Sequence, residues 1–136
     1  MKILIDRNIP FIKGLFEPYA AVEYLPGGDI TPHETADADI LIIRTRTRCD
    51  RSLLNGSRVR MIATATIGFD HIDTDYCAAR GIKVARAAGC NAYGVVQYVT
   101  AALARMGLAP GSSVAVVGAG SVGCLLYTDD AADDKA

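Results

Sequence analysis

The clearest chemical pattern in the sequence is a set of three glycines, Gly118, Gly120 and Gly123, which follow an apolar, β-branched run. In a G-x-G-x-x-G turn the first glycine allows a tight bend and the second lets the backbone approach a pyrophosphate. The third lets a helix pack closely on a strand. Backbone N–H groups at the start of the following helix, here at Ser121 and Val122, would hold the phosphates. The pattern therefore predicts a dinucleotide-binding loop, although glycine turns of this spacing also occur without a ligand.

The segment after this loop does not continue the pattern. An acidic residue that binds the adenosine ribose is expected about 20 residues beyond the glycines. The sequence ends before that point, so the presence of this residue cannot be used to separate NAD from NADP. Residues 124–136 carry four aspartates within six residues and no apolar stripe. They predict a non-native or disordered tail; a natural acidic disordered tail is the alternative.

Arginines alternate with threonines after the third predicted strand. Strand alternation would place Arg44, Arg46 and Arg48 on one side and Thr45 and Thr47 on the other. Ligands of such sheets collect at the carboxyl ends of strands, so one interpretation is an anion pocket for a phosphate or carboxylate. The other interpretation is a solvated basic loop balanced by nearby acidic residues.

A second polar segment follows the fourth predicted strand in the equivalent position. Thr64 and Thr66 precede Gly68, and two hydroxyls beside a glycine can bind an anionic substrate. An ordinary turn is the competing interpretation. His71, between Asp70 and Asp73, can transfer protons, but a structural histidine at a capped helix entry is favoured.

Short apolar runs alternate with segments of helical spacing, which predicts an α/β fold with a flavodoxin-like parallel sheet. Strands are predicted at residues 2–5, 21–24, 40–43, 61–63 and 82–84, and helices at 9–19, 72–80 and 91–106. The run at 114–117 predicts a further strand, the first of a truncated Rossmann domain. We therefore expect a substrate-binding domain at 1–89, a linking helix and the start of a nucleotide-binding domain at 90–123, and the tail at 124–136.

Composition excludes several classes of protein. The formal net charge of −1 argues against a nucleic-acid binder, and no apolar stretch approaches the length of a membrane span. Four scattered cysteines without a C-x-x-C pair predict neither a zinc site nor a disulfide framework. We expect a cytoplasmic protein without a bound metal.

Several motifs in order resemble the D-2-hydroxyacid dehydrogenase family over residues 1 to about 123. They are MKILIDRNIPF, YLPGGDI, ADADILIIRTRTRCDRSLL, ATATIGFDHID, GCNAYGVVQYV and VVGAGSVG. The resemblance implies an NAD-dependent oxidoreductase that oxidises a small phosphorylated 2-hydroxy acid. It places Thr45 and Thr66 at substrate-contacting positions and residues 118–123 on the pyrophosphate loop, and it implies a homodimer for the full-length enzyme.

The resemblance leaves two alternatives open. One is another member of the same family, of the phosphoglycerate or hydroxypyruvate type, which would share the architecture and the glycine loop. The other is a non-catalytic α/β module that binds a small molecule. In the family the catalytic arginine, glutamate and histidine lie downstream, so no catalytic residue is assigned within residues 1–136.

We expect the 136-residue polypeptide to form no NADH from a phosphorylated 2-hydroxy acid, because the histidine that accepts the hydroxyl proton in this family is not among its residues. The measurement is NADH absorbance with the purified chain, substrate and NAD, against a blank without substrate. Sustained NADH formation above the blank would show the expectation to be wrong.

Overall fold

The structure is a computed structural model that describes residues 1–108 and 111–133. The described residues divide into two compact units, the first covering residues 1–87 and the second beginning at residue 88. The first unit is built on a five-stranded, entirely parallel sheet in the order β2-β1-β3-β4-β5. Its strands are β1 (Lys2–Asp6), β2 (Ala21–Leu25), β3 (Ile40–Ile43), β4 (Met61–Thr64) and β5 (Lys83–Arg86). This order is that of the flavodoxin-like sheet, which confirms the predicted fold class.

The connections of the first unit contain short helices and turns. A 3₁₀ turn covers Gly27–Asp29, and the helices are α1 (Pro32–Thr35), α2 (Arg51–Leu54) and α3 (Thr74–Ala79). The side chain of Asp50 caps α2 and that of Asp73 caps α3, in each case by accepting hydrogen bonds from backbone N–H groups of the first turn. The expected helix at 72–80 is therefore confirmed in a shorter form.

The sheet is buried on both faces, as the apolar composition of its strands requires. On one face Leu4, Leu41 and Ile62 contribute to the larger core cluster. On the other face Ile3, Ile5 and Ile42 pack together with partly buried residues of the 9–20 segment and of β2. Strand β3 lies in the middle of the sheet and contributes to both clusters.

The prediction of a helix at residues 9–19 is wrong. The segment forms a series of turns, in which Phe11 has a φ of 59° and Gly14 a φ of 87°. Pro18 lacks the N–H group that a helix interior needs, and left-handed residues such as Phe11 and Gly14 interrupt a right-handed helix. The apolar spacing there reflects side chains such as Ile12 and Phe16 that cover the sheet from turns.

The second unit contains α4 (Ala92–Arg105) and α5 (Ser121–Asp133), which pack against each other. Helix α4 confirms the expectation for 91–106, although the side chain of Asn91 makes no capping bond. Among the described residues, the run at 114–117 is not paired as a strand, because all five strands of the sheet belong to the first unit.

Helix α5 continues to Asp133, so the tail expected at 124–136 is helical up to that residue and not disordered. The expectation that this segment is non-native stays a prediction. Backbone hydrogen bonds propagate a helix once its first turn has formed, and alanines 131 and 132 have the highest helix propensity. Residues 134–136 of that expectation lie outside the described residues.

We expect Gly27→Ala to destabilise the first unit by about 1–3 kcal/mol. A Cβ at residue 27 would lie 2.7 Å from Asp6 Oδ2 and 3.0 Å from Thr47 Oγ1, and both side chains are buried. Gly28→Ala is the matched control, because a Cβ at that position meets nothing within 4 Å. Urea unfolding of both variants measures the difference, and equal stabilities would contradict the prediction.

Candidate functional site

The carboxyl ends of the strands form one edge of the sheet, where ligands of open parallel sheets bind. Asp6 ends β1, Thr64 ends β4 and Arg86 ends β5, while Thr45 follows β3 closely. Parallel pairing aligns Ile43 with Thr64 and Thr64 with Arg86. The edge therefore brings together polar residues from separate parts of the sequence.

A hydrogen-bonded group of side chains, Thr64, Thr66 and His71, lies at this edge. The hydroxyl of Thr64 is 2.7 Å from that of Thr66 and 3.3 Å from His71 Nε2. Thr66 also donates a hydrogen bond to the Gly68 carbonyl oxygen, at 3.0 Å. Thr64 is only 3% exposed, whereas Thr66 is half-buried at the surface. The group thus presents one accessible hydroxyl whose orientation is set by a buried one.

The loop that carries these residues is tied to the segment after β3. The Cys49 N–H donates to the His71 carbonyl at 2.8 Å, and the Asp73 N–H donates to the Cys49 carbonyl at 2.8 Å. Burial raises the pKa of the Cys49 thiol to about 12, so this residue has a structural role and stays protonated. These bonds fix the backbone of the loop at His71 against the segment after β3.

The surroundings of His71 favour the neutral form of its imidazole. Burial lowers the pKa of its imidazole, and the nearby charge of Asp70 opposes that shift. A neutral imidazole has one donor nitrogen and one acceptor nitrogen. Because Thr66 donates its only hydroxyl proton to Gly68, the Thr64 hydroxyl donates to Thr66 and accepts a hydrogen bond from His71 Nε2–H.

The predicted alternation of arginines and threonines after β3 is wrong. The chain turns at residues 44–47, where the Thr47 N–H donates to the Arg44 carbonyl. Thr47 is consequently buried and donates to the Gly27 carbonyl at 2.8 Å, whereas Thr45 is exposed. A turn ends the two-residue periodicity on which the prediction depended.

The arginines of this turn have different partners. Arg44 donates to the Asn8 carbonyl at 3.2 Å, and Arg48 pairs with Asp50 at 3.1 Å. For Arg48 the structure favours the interpretation as a solvated, charge-balanced loop. Arg86, in contrast, is a cation at the sheet edge that the sequence motifs did not single out. Its guanidinium lies 4.3 Å from the centre of the Phe69 ring.

Two of the three glycines in the loop of the second unit occupy positions that disfavour other residues. Gly118 has a φ of 129°, a conformation that favours glycine. A Cβ at Gly123 would overlap the carbonyl oxygen of Gly118, so no larger residue fits there. A cavity beside the loop is lined by Val116, Gly118, Ala119, Gly123, Cys124 and Tyr127. Helix α5 begins at Ser121, and its residues Gly123 and Cys124 line this cavity.

Two further findings limit the chemistry of the described residues. No cluster of three or more histidine, cysteine, aspartate or glutamate side chains among them is arranged to bind a metal ion. None of the helices in that part of the chain has the length and apolarity needed to cross a membrane.

Comparison with known sequences identifies relatives over most of the chain. The family model described as D-isomer specific 2-hydroxyacid dehydrogenase, catalytic domain, matches residues 11–134. Erythronate-4-phosphate dehydrogenase of Bacteroides fragilis is 52% identical over 129 residues, which cover 90% of this chain and 37% of that protein. The enzyme of the same name from Saccharophagus degradans is 47% identical over 132 residues, covering 93% and 35%. The chain thus spans little more than a third of the length of these curated relatives.

Solved structures with the same fold include the NAD⁺-bound 3-phosphoglycerate dehydrogenase of Entamoeba histolytica. It matches with a TM-score of 0.68 at 23% identity, covering 97% of this chain and 51% of that chain. NAD-dependent formate dehydrogenase from Staphylococcus aureus, solved with NAD, matches with a TM-score of 0.68 at 16% identity, covering 97% and 54%. At these identities the likeness shows the fold.

We expect the stability of the chain to fall as the pH drops below about 6.5, the ordinary pKa of histidine. The folded state resists protonation of His71, whose pKa is lowered, while the unfolded state accepts the proton. The stability that neutral His71 contributes is fully present above the pKa of the unfolded state. It is lost as the pH falls through the pKa of the folded state.

The measurement is a histidine ring NMR titration together with urea unfolding across this range, with His71→Gln to assign the signal. Asp70→Asn should lower the pKa of His71 further, since the Asp70 charge raises it. A His71 pKa at or above 6.5 would contradict the prediction.

Proposed function

Since the chain belongs to the D-isomer specific 2-hydroxyacid dehydrogenase family, we propose that it is the amino-terminal part of an NAD-dependent 4-phosphoerythronate dehydrogenase. The enzyme would oxidise 4-phospho-D-erythronate at its 2-hydroxyl to 2-oxo-3-hydroxy-4-phosphobutanoate, a reaction of pyridoxal phosphate synthesis. The observation that carries the proposal is 52% identity over 90% of this chain to a protein named for this activity. The complete enzyme would be a cytoplasmic homodimer.

The first unit, in this proposal, binds the substrate. Thr45 and Thr66 offer hydroxyl groups at the carboxyl edge of the sheet, where parallel sheets of this kind bind ligands. Thr66 is the better defined of the two, because its hydroxyl is bonded to Thr64 and to the Gly68 carbonyl. Thr45 is exposed at the turn after β3. Both residues would position the substrate, and neither would transfer a proton.

The second unit would begin the NAD-binding domain. The backbone of Gly118 and Gly120 and the N–H groups of Ser121 and Val122 would hold the pyrophosphate, with Gly123 keeping the turn narrow. The positive φ of Gly118 and the lack of space beside Gly123 support this assignment. When bound, NAD would supply the acceptor for the hydride that leaves C2 of the substrate.

The substrate assignment is tested by adding 4-phospho-D-erythronate to the ¹⁵N-labelled 136-residue chain and recording amide NMR spectra. We expect shifts centred on Thr45 and Thr66, larger than those caused by equal concentrations of 3-phospho-D-glycerate. A stronger response to 3-phospho-D-glycerate would favour a phosphoglycerate-type enzyme. No response at the sheet edge to either compound would overturn the assignment of the first unit.

A pair of variants tests the role of the hydroxyl. Thr66→Val should weaken binding of 4-phospho-D-erythronate by about tenfold or more, because a hydrogen bond to a charged ligand is lost. Thr66→Ser should retain most of the affinity, since it keeps the hydroxyl. Thr100→Val, an exposed position on α4, is the matched control and should bind as the unmodified chain does. Equal affinities for the valine and serine variants would show that the hydroxyl has no role.

A further inference from the structure

Arg86 lies on the strand next to the one that carries Thr64. It ends β5 and is the register partner of Thr64 in β4. Paired residues of neighbouring parallel strands are about 4.8 Å apart, and their side chains point to the same face of the sheet. Arg86 therefore shares a face with Thr64, the residue that orients the Thr66 hydroxyl.

The side chain of Arg86 is held by an aromatic ring. Its guanidinium lies 4.3 Å from the centre of the Phe69 ring, which is a close cation–π contact. Phe69 packs against the main core cluster and belongs to the same loop as Thr66 and His71. Stacking on a ring leaves the edge of a guanidinium, with its N–H donors, free to bind other groups.

Arg86 has no acidic partner within the residues that the structure describes. Two other arginines of the first unit do have one, since Arg48 pairs with Asp50 and Arg58 pairs with Asp39. Arg86 is exposed, and in that part of the chain it contacts neither a carboxylate nor a backbone carbonyl. A positioned guanidinium with unused donors suits a planar or tetrahedral oxyanion, which it can bind through two N–H groups.

We propose that Arg86 is a specificity-determining residue that binds an anionic group of the substrate, a phosphate or a carboxylate, while Thr66 contacts the same molecule. Phe69 is its positioning residue, since the ring fixes where the guanidinium lies. The inference rests on the proposed function for the identity of the substrate. Binding of a simple oxyanion by Arg86 does not depend on it.

The test uses the 136-residue chain and four probes at constant ionic strength: inorganic phosphate, acetate, D-erythronate and 4-phospho-D-erythronate. Amide NMR titrations give the affinity for each. We expect Arg86→Gln to weaken binding of inorganic phosphate and of 4-phospho-D-erythronate by about tenfold or more. If the phosphate is the group bound, D-erythronate and acetate are unaffected; if the carboxylate is bound, their affinities fall as well.

Two matched variants separate a specific contact from general electrostatics. Arg60→Gln removes the same charge from an exposed position just before β4, at the opposite end of the strands, and should leave all affinities unchanged. Phe69→Leu keeps the charge and removes the ring, and should cause a smaller loss than Arg86→Gln. Equal losses in the Arg86 and Arg60 variants would overturn the proposal, as would unchanged affinities in Arg86→Gln. Thermal unfolding confirms that each variant is folded.

The outcomes also separate this inference from the proposed function. If Arg86→Gln loses phosphate binding while the unmodified chain prefers 3-phospho-D-glycerate to 4-phospho-D-erythronate, the proposed function fails and the role of Arg86 stands. If the unmodified chain prefers 4-phospho-D-erythronate and Arg86→Gln binds it equally well, the proposed function stands and the role of Arg86 fails.

Discussion

Backbone hydrogen bonds between parallel strands bring together residues that are far apart in the sequence. The register aligns Ile43 of β3 with Thr64 of β4, and Thr64 with Arg86 of β5. Because all the strands run in one direction, each connection leads from the carboxyl edge of the sheet back to its amino edge. The polar residues that follow the strands therefore collect at the carboxyl edge. A shift of one residue in this register would move Thr64 to the other face and separate it from His71.

The polar groups at this edge are constrained by burial. The side chains of Asp6, Thr47 and Thr64 are almost completely inaccessible to solvent. A buried polar group without a hydrogen-bond partner destabilises the folded state by about 1–3 kcal/mol. Within the residues described, every buried side-chain nitrogen or oxygen has a hydrogen-bond partner. The partners of Thr64 are Thr66 and His71, so the requirement to satisfy a buried hydroxyl also orients an accessible one.

Local patterns predicted the elements whose side chains point to a single environment. The strands of the sheet are apolar and β-branched, and α4 has a continuous apolar stripe, so both were predicted closely. The segment at 9–19 has apolar residues at helical spacing, yet it forms turns, because Phe11 and Gly14 are left-handed and Pro18 lacks a backbone N–H. The arginine alternation failed for a related reason, because a turn after β3 ended the periodicity.

The sequence by itself determined the fold class, the position of the glycine loop and the two threonines that follow the central strands, because each depends on residue type and short spacing. Only the tertiary structure showed that Thr66 is oriented by Thr64 and His71, and that Arg86 stacks on Phe69. The contact of Arg86 with Phe69 joins a strand to a loop 17 residues earlier in the sequence, and it depends on strand register and core packing. Thr64, Thr66 and His71 are close in sequence, but the loop that carries His71 is held by a backbone hydrogen bond to Cys49 of a distant segment, which no local pattern of residues specifies.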